Sequence, residues 1–251
     1  MLVAFVPAST PPFDLAFNKV AAAVTGGAYC HCETAFEGLA LGRLRAVCDT
    51  LNLAHALPES MQRARDAARA LLAVFPPRTP DDEPVTLAFH ALAGQPLGVR
   101  VLSPHAEDVL NRPYDDTWRV YRLPDAPRKA VQAQLVWSLS QVGKPYDTMG
   151  ALTSPLHSGH AGAVRAPDPS HWFCSNLSLR FLQHLNLCSG LSLTGTTPNS
   201  LERALRQYIP ADAARLEADT GGAATLQFDA EHWGLVGSIA PYIVRADLGV
   251  K

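Results

Sequence analysis

Apolar and polar positions along the chain switch between two periods, and the switches mark its elements. Leu2–Val6 is a short apolar run stopped by prolines and reads as a first strand. In "FDLAFNKVAAAVTGG", Phe13, Phe17, Val20 and Val24 recur at helical spacing until Gly26-Gly27 ends the pattern. "AYCHCETAF" is rich in β-formers and predicts a strand, with "GRLRAV" as its hairpin partner. "PESMQRARDAARALLAVFPP" opens on Pro58 and closes on Pro76-Pro77, a punctuated helix. "TPDDEP" is a loop, "VTLAFHAL" and "GVRVLS" a pair of strands, and "WRVYRL" another. "APRKAVQAQLVWSLSQVG" predicts a helix ending at Gly143, and the segment from Cys174 a further helix ended by Ser189-Gly190. "TPNSLERALRQY" has the Thr/Pro start and nearby Glu202 of a capped short helix. The tail through "ATLQFDAEHWGLVGSIAPYIVRADLGV" predicts one or two weaker strands. Strands and helices mix without strict βαβ alternation, so the expected class is α+β. One domain over 1–251 is expected, with 50–125 as an insertion or elaboration.

Composition narrows the function classes. The 251 residues are 47% hydrophobic and 18% charged, ordinary for a soluble globular protein. With 21 basic and 23 acidic residues, the net charge of -2 provides no electrostatic footprint for nucleic acid. No apolar run approaches the ~18–20 residues of a membrane span. "MLVAFVPASTPP" lacks the basic leader of a signal peptide, so the expected location is cytoplasmic or, by another route, a phage particle. The five cysteines (Cys30, Cys32, Cys48, Cys174, Cys188) are odd in number and irregularly spaced, so they read as reduced thiols.

Three stretches carry candidate chemistry. Cys174 stands where a helix begins, and exposed N–H groups there favour the thiolate, the form that attacks. His31 and Glu33 are two apart in the "YCHCE" strand and share a face, a base and its orienting carboxylate. Cys30 and Cys32 would then point to the opposite face, into the core. In "GKPYDTMGAL", Gly143 and Pro145 shape a turn that would present the Tyr146 phenol to an oxyanion.

Together these pieces resemble a circularly permuted member of the NlpC/P60 papain-like superfamily. "YCHCE" is similar to the family's Y-S-H-x-E strand, "GKPYD" to its G-x-P-Y-D turn, and "FCSN" to its F-C-S-E helix start. "TPNSLERAL" is similar to a T/S-P-x-x-L segment that often follows. The resemblance implies a permuted papain-like fold, a central antiparallel sheet packed against helices, and a thiol hydrolase needing no cofactor. It implies Cys174 as nucleophile, His31 as base, Glu33 as third residue and Tyr146 as oxyanion donor. Trp172, His171 and Asp147, beside these motifs, would contact substrate. The substrate would be a peptide or amide such as a cell-wall peptide, or a lipid ester. Asn176 departs from the family's Glu, and Cys30 from its Ser.

Blander readings stand beside each assignment. A cysteine in an apolar helix is usually a buried core residue. His31 would pack as a core histidine, and Tyr146 as a buried aromatic with a satisfied hydroxyl. Cys30, His31, Cys32, His157 and His160 are zinc-ligand types, but a strand turns His31 away from the two cysteines. His171 is a substitute base. The chain would otherwise be a non-catalytic module of a larger assembly, or a lipid acyltransferase. A sulfur–imidazole contact beside an open cleft favours the enzyme, and an apolar passage to Cys174 favours the lipid.

Overall fold

The computed structural model describes residues 1–54, 56–106, 109–157 and 170–208. The weak strands expected in the tail and His160 lie outside them.

Five strands form one antiparallel sheet: β1 (Leu2–Pro7), β2 (Tyr29–Ala40), β3 (Pro84–His90), β4 (Gly98–Leu102) and β5 (Arg119–Arg122), in the order β4-β3-β2-β1-β5. Seven α-helices are described: α1 (Ala16–Val24), α2 (Leu41–Asn52), α3 (Glu59–Leu72), α4 (Arg128–Gln141), α5 (Thr148–His157), α6 (Cys174–Gln183) and α7 (Pro198–Tyr208). The chain is thus α+β, with a five-stranded antiparallel sheet packed against helices. Residues 50–125 supply α3 and three of the five strands.

Period two sorts the sheet residues onto two different faces. Val3, Phe5, Cys32, Phe36, Leu87, Phe89 and Tyr121 join the main core under the helices. There the Phe36 ring meets Phe89 and Phe181 edge-on, both with centroids 5.8 Å apart. The other face carries the small Ala4, Ala35 and Ala88, with Leu2 and Leu102, and packs against Tyr114, Trp118 and Val120. Its alanines leave room for buried polar side chains.

Two expectations are corrected. "GRLRAV" is not a hairpin strand but the start of α2, where Leu41, Leu44, Val47, Cys48 and Leu51 are buried at helical spacing. The antiparallel partner of β2 on that side is β3, which follows α2 and α3, and the pairing is interrupted by a bulge at Gly38 (φ 63°). The helix carrying Cys174 stops at Gln183, short of Ser189-Gly190, and Asn186 turns the chain out at φ 57°. In addition, α5 forms where only a turn and a loop were expected.

Candidate active site

The pairing of β1 with β2 slips at one end of the sheet. Val6 pairs with His31 but Pro7 with Tyr29, so Cys30 is the extra residue of a bulge. Asn199, near the start of α7, clamps this end. It accepts the Tyr29 N–H at 2.9 Å and donates to the Tyr29 carbonyl at 3.0 Å. Its Nδ2 also donates to the Ala22 carbonyl at the end of α1. Nothing in the local pattern marked Asn199, whose partners lie some 170 residues away in sequence.

His31 and Glu33 share the face bearing Ala4, Ala35 and Ala88, as their spacing predicts. His31 Nε2 lies 3.1 Å from Glu33 Oε1, and Phe13 stacks on the imidazole with centroids 5.3 Å apart and planes 12° apart. Trp118 meets Phe13 edge-on, so the pair is roofed by aromatics. Both His31 and Glu33 are buried.

Glu33 has two further partners. Arg100 Nη2 donates to both carboxylate oxygens, at 2.8 and 2.6 Å, and the Tyr114 hydroxyl donates to Oε2 at 3.1 Å. Burial alone would raise the carboxyl, but the bond from His31 and the Arg100 charge outweigh it and hold Glu33 at about 2. His90 lies beyond, its ring so close over Gly98 that a Cβ there would sit 2.6 Å from it. Burial lowers His90 to about 4, so it is neutral at pH 7.

Cys174 opens α6. The preceding Phe173 is extended and provides no side-chain cap, so the first-turn N–H groups stay available. Ser175 anchors the turn by donating to the Thr196 carbonyl at 2.8 Å, and Asn176 donates to the Leu193 carbonyl at 3.2 Å. Three groups stabilise the Cys174 thiolate: first the Cys32 thiol, then the His31 imidazole and the Cys32 backbone N–H. Together they overcome burial and lower its pKa well below the ordinary thiol value. Burial would lower His31, yet its hydrogen bonds with Cys174 and Glu33 raise it to about 9. Since Glu33 occupies Nε2, Nδ1 is left to face the sulfur. Each group thus favours the charged form of the other.

The two other cysteines of "YCHCE" divide. Cys32 does face the core, but α6 lies there: its sulfur is 3.5 Å from Ser178 Oγ, one turn beyond Cys174. Cys30 is not packed in the core as expected. The bulge leaves it half-buried, its thiol 3.7 Å from the Val6 carbonyl, and burial and the Cys174 charge raise it to about 12.

Tyr146 reaches the same place. The Trp172 N–H donates to the Pro145 carbonyl at 3.2 Å and the Asp147 N–H to the Trp172 carbonyl at 3.0 Å, stitching "GKPYD" to the segment before Cys174. Burial and the Cys174 charge push the Tyr146 phenol far up, keeping it a donor.

A groove of about 430 Å³ opens over Cys174, His31 and Tyr146. Its walls are mostly apolar, with Phe13, Phe17, Val20 and Val24 on one side and Ala151 and Leu152 of α5 on the other. The helical stripe of α1 faces this groove and solvent: Phe17 is 63% and Val24 68% exposed.

The three expected substrate contacts do not line this groove. Trp172 is buried against Trp137, with its indole N–H on Gln141 Oε1 at 3.0 Å. Asp147 Oδ1 accepts the Gly150 N–H at 2.7 Å within the turn into α5. His171 Nδ1 lies 2.7 Å from Ser170 Oγ, and His31, not His171, meets Cys174.

Among the described residues no group of three His, Cys, Asp or Glu side chains is placed to hold a metal, and no helix is long and apolar enough to cross a membrane. Compared with family models, curated proteins and solved structures, the chain matches none.

Proposed function

We propose that the chain is a cysteine hydrolase of permuted papain-like type, cleaving an amide or peptide bond through an acyl-enzyme. One observation carries this reading: Cys174, at the start of a helix, lines one groove with His31, whose imidazole is hydrogen-bonded to the buried Glu33 and stabilises the thiolate. The Cys174 thiolate attacks the acyl carbon, and the developing oxyanion takes hydrogen bonds from first-turn N–H groups of α6 and the Tyr146 hydroxyl. His31 passes its proton to the leaving group, then takes one from the water that hydrolyses the thioester. Glu33 orients the imidazole and offsets its charge.

The test is the pH dependence of Cys174 alkylation by iodoacetamide, in the wild type and in His31→Ala. Fast labelling well below the free-thiol pKa of about 8.5, lost in the variant, is expected. Slow labelling indifferent to His31 would leave a non-catalytic module.

The apolar walls of the groove favour a second reading, in which the acyl group comes from a lipid ester. A buried methylene contributes about 0.8 kcal/mol, so kcat/KM on esters would rise about fourfold per added methylene until the groove fills. A flat chain-length series, with peptide amides turned over, keeps the first reading.

A further inference from the structure

The carboxylate of Glu33 is held by a side chain that starts two strands away. Along one line across the sheet, Ala35 of β2 pairs with Ala88 of β3, and Ala88 with Arg100 of β4. All three lie on the face of His31 and Glu33. Because Ala88 ends at Cβ, the Arg100 stem crosses β3 above it and brings Nη2 onto both oxygens of Glu33. Tyr114, from the segment before β5, adds its hydroxyl. Glu33 therefore accepts four hydrogen bonds, two on each oxygen, about as many as a carboxylate has lone-pair sites. The groups facing it are His31 on its own strand, His90 from β3, Arg100 from β4 and Tyr114 from the covering segment. Cys174, His31, Glu33 and Arg100 then form a row of alternating charge, and a row of that kind needs its last cation.

We propose that Arg100, assisted by Tyr114, is a positioning residue that keeps Glu33 ionised and oriented and so maintains the thiolate–imidazolium pair. The inference rests on the hydrolase reading, since the charge state of Cys174 matters only if the sulfur reacts. Without Arg100, a carboxylate at 0% exposure would keep the imidazole as its counter-charge and the Tyr114 hydroxyl as its other donor, too little to offset its desolvation. It would protonate at higher pH, and a neutral Glu33 no longer holds the proton on His31 or the charge on Cys174.

The experiment is the acid limb of Cys174 alkylation in wild type, Arg100→Lys, Arg100→Gln and Tyr114→Phe, read at the Cys174 peptide by mass spectrometry. In Arg100→Gln the limb is expected to move up by at least about one pH unit, a tenfold loss of labelling rate on the limb. Arg100→Lys should restore most of it, and Tyr114→Phe should shift it less in the same direction. A folded Arg100→Gln protein with an unmoved limb overturns the proposal. If that variant does not fold, Tyr114→Phe decides: a shifted limb supports the proposal and an unmoved one overturns it. Failure of the hydrolase reading is separate, because the wild type itself would then label slowly at low pH.

Discussion

The thiols of Cys32 and Cys174 interact across the seam between β2 and α6. Cys32 belongs to the strand face turned away from His31, so the two neighbours in sequence approach the nucleophile from different sides. His31 reaches it at the end of the sheet, and Cys32 reaches it from beneath the helix beside Ser178. Burial and the Cys174 thiolate raise the Cys32 thiol well above its ordinary value, so it stays protonated and donates.

Cys32→Ala removes that donor. Cys174 is expected to titrate higher and to label several-fold more slowly at pH 6, as read by mass spectrometry of the Cys174 peptide. Cys30→Ala, removing a thiol that is held protonated and faces the Val6 carbonyl, should leave labelling unchanged. Equal slowing in both variants would refute the separate role of Cys32.

Above neutrality, labelling and turnover should part. His31 loses its proton as pH rises through about 9, while Cys174 remains a thiolate. Alkylation is therefore expected to persist above that pH, whereas kcat/KM falls for want of a general acid. A shared alkaline limb would contradict the assignment of the two protons.

Glu33 couples folding to acid. Its folded pKa of about 2 lies below the ordinary 4.5, so its contribution is present above pH 4.5 and lost as pH falls toward 2. Thermal unfolding across that window should show a steep loss in the wild type. Glu33→Gln should be less stable at pH 7 and flatter through the same range.

Phe181 lies at 0% exposure against Phe36, about two turns beyond Cys174 on α6. Phe181→Ala is expected to cost about 3–5 kcal/mol in urea unfolding. A cost below 1 kcal/mol would mean that the core collapses around the gap.

The sequence was most legible where a local period carried the information. Alternation in "YCHCE" placed His31 and Glu33 on one face, and proline and glycine punctuation bounded α3 and α4 within a few residues. "GRLRAV" misled because a six-residue window admits both periods; only with Leu51 does the burial of α2 become helical. The stripe of α1 has the right period, but no pattern on the helix tells that it borders a groove.

The sequence by itself determined that this is an α+β chain and that its thiol, imidazole and carboxylate lie in a strand and at a helix start. Those choices are local: they follow from side-chain alternation, helix punctuation and the chemistry of single residues. Only the tertiary structure decided what meets them. Arg100 reaches Glu33 because an alanine happens to lie between them, Cys32 meets Cys174 because α6 packs on its face, and Trp172 is spent on Gln141 because α4 passes beneath it. Such contacts depend on which surface covers which, and their partners lie tens to more than a hundred residues apart, beyond any window in which a period can be read.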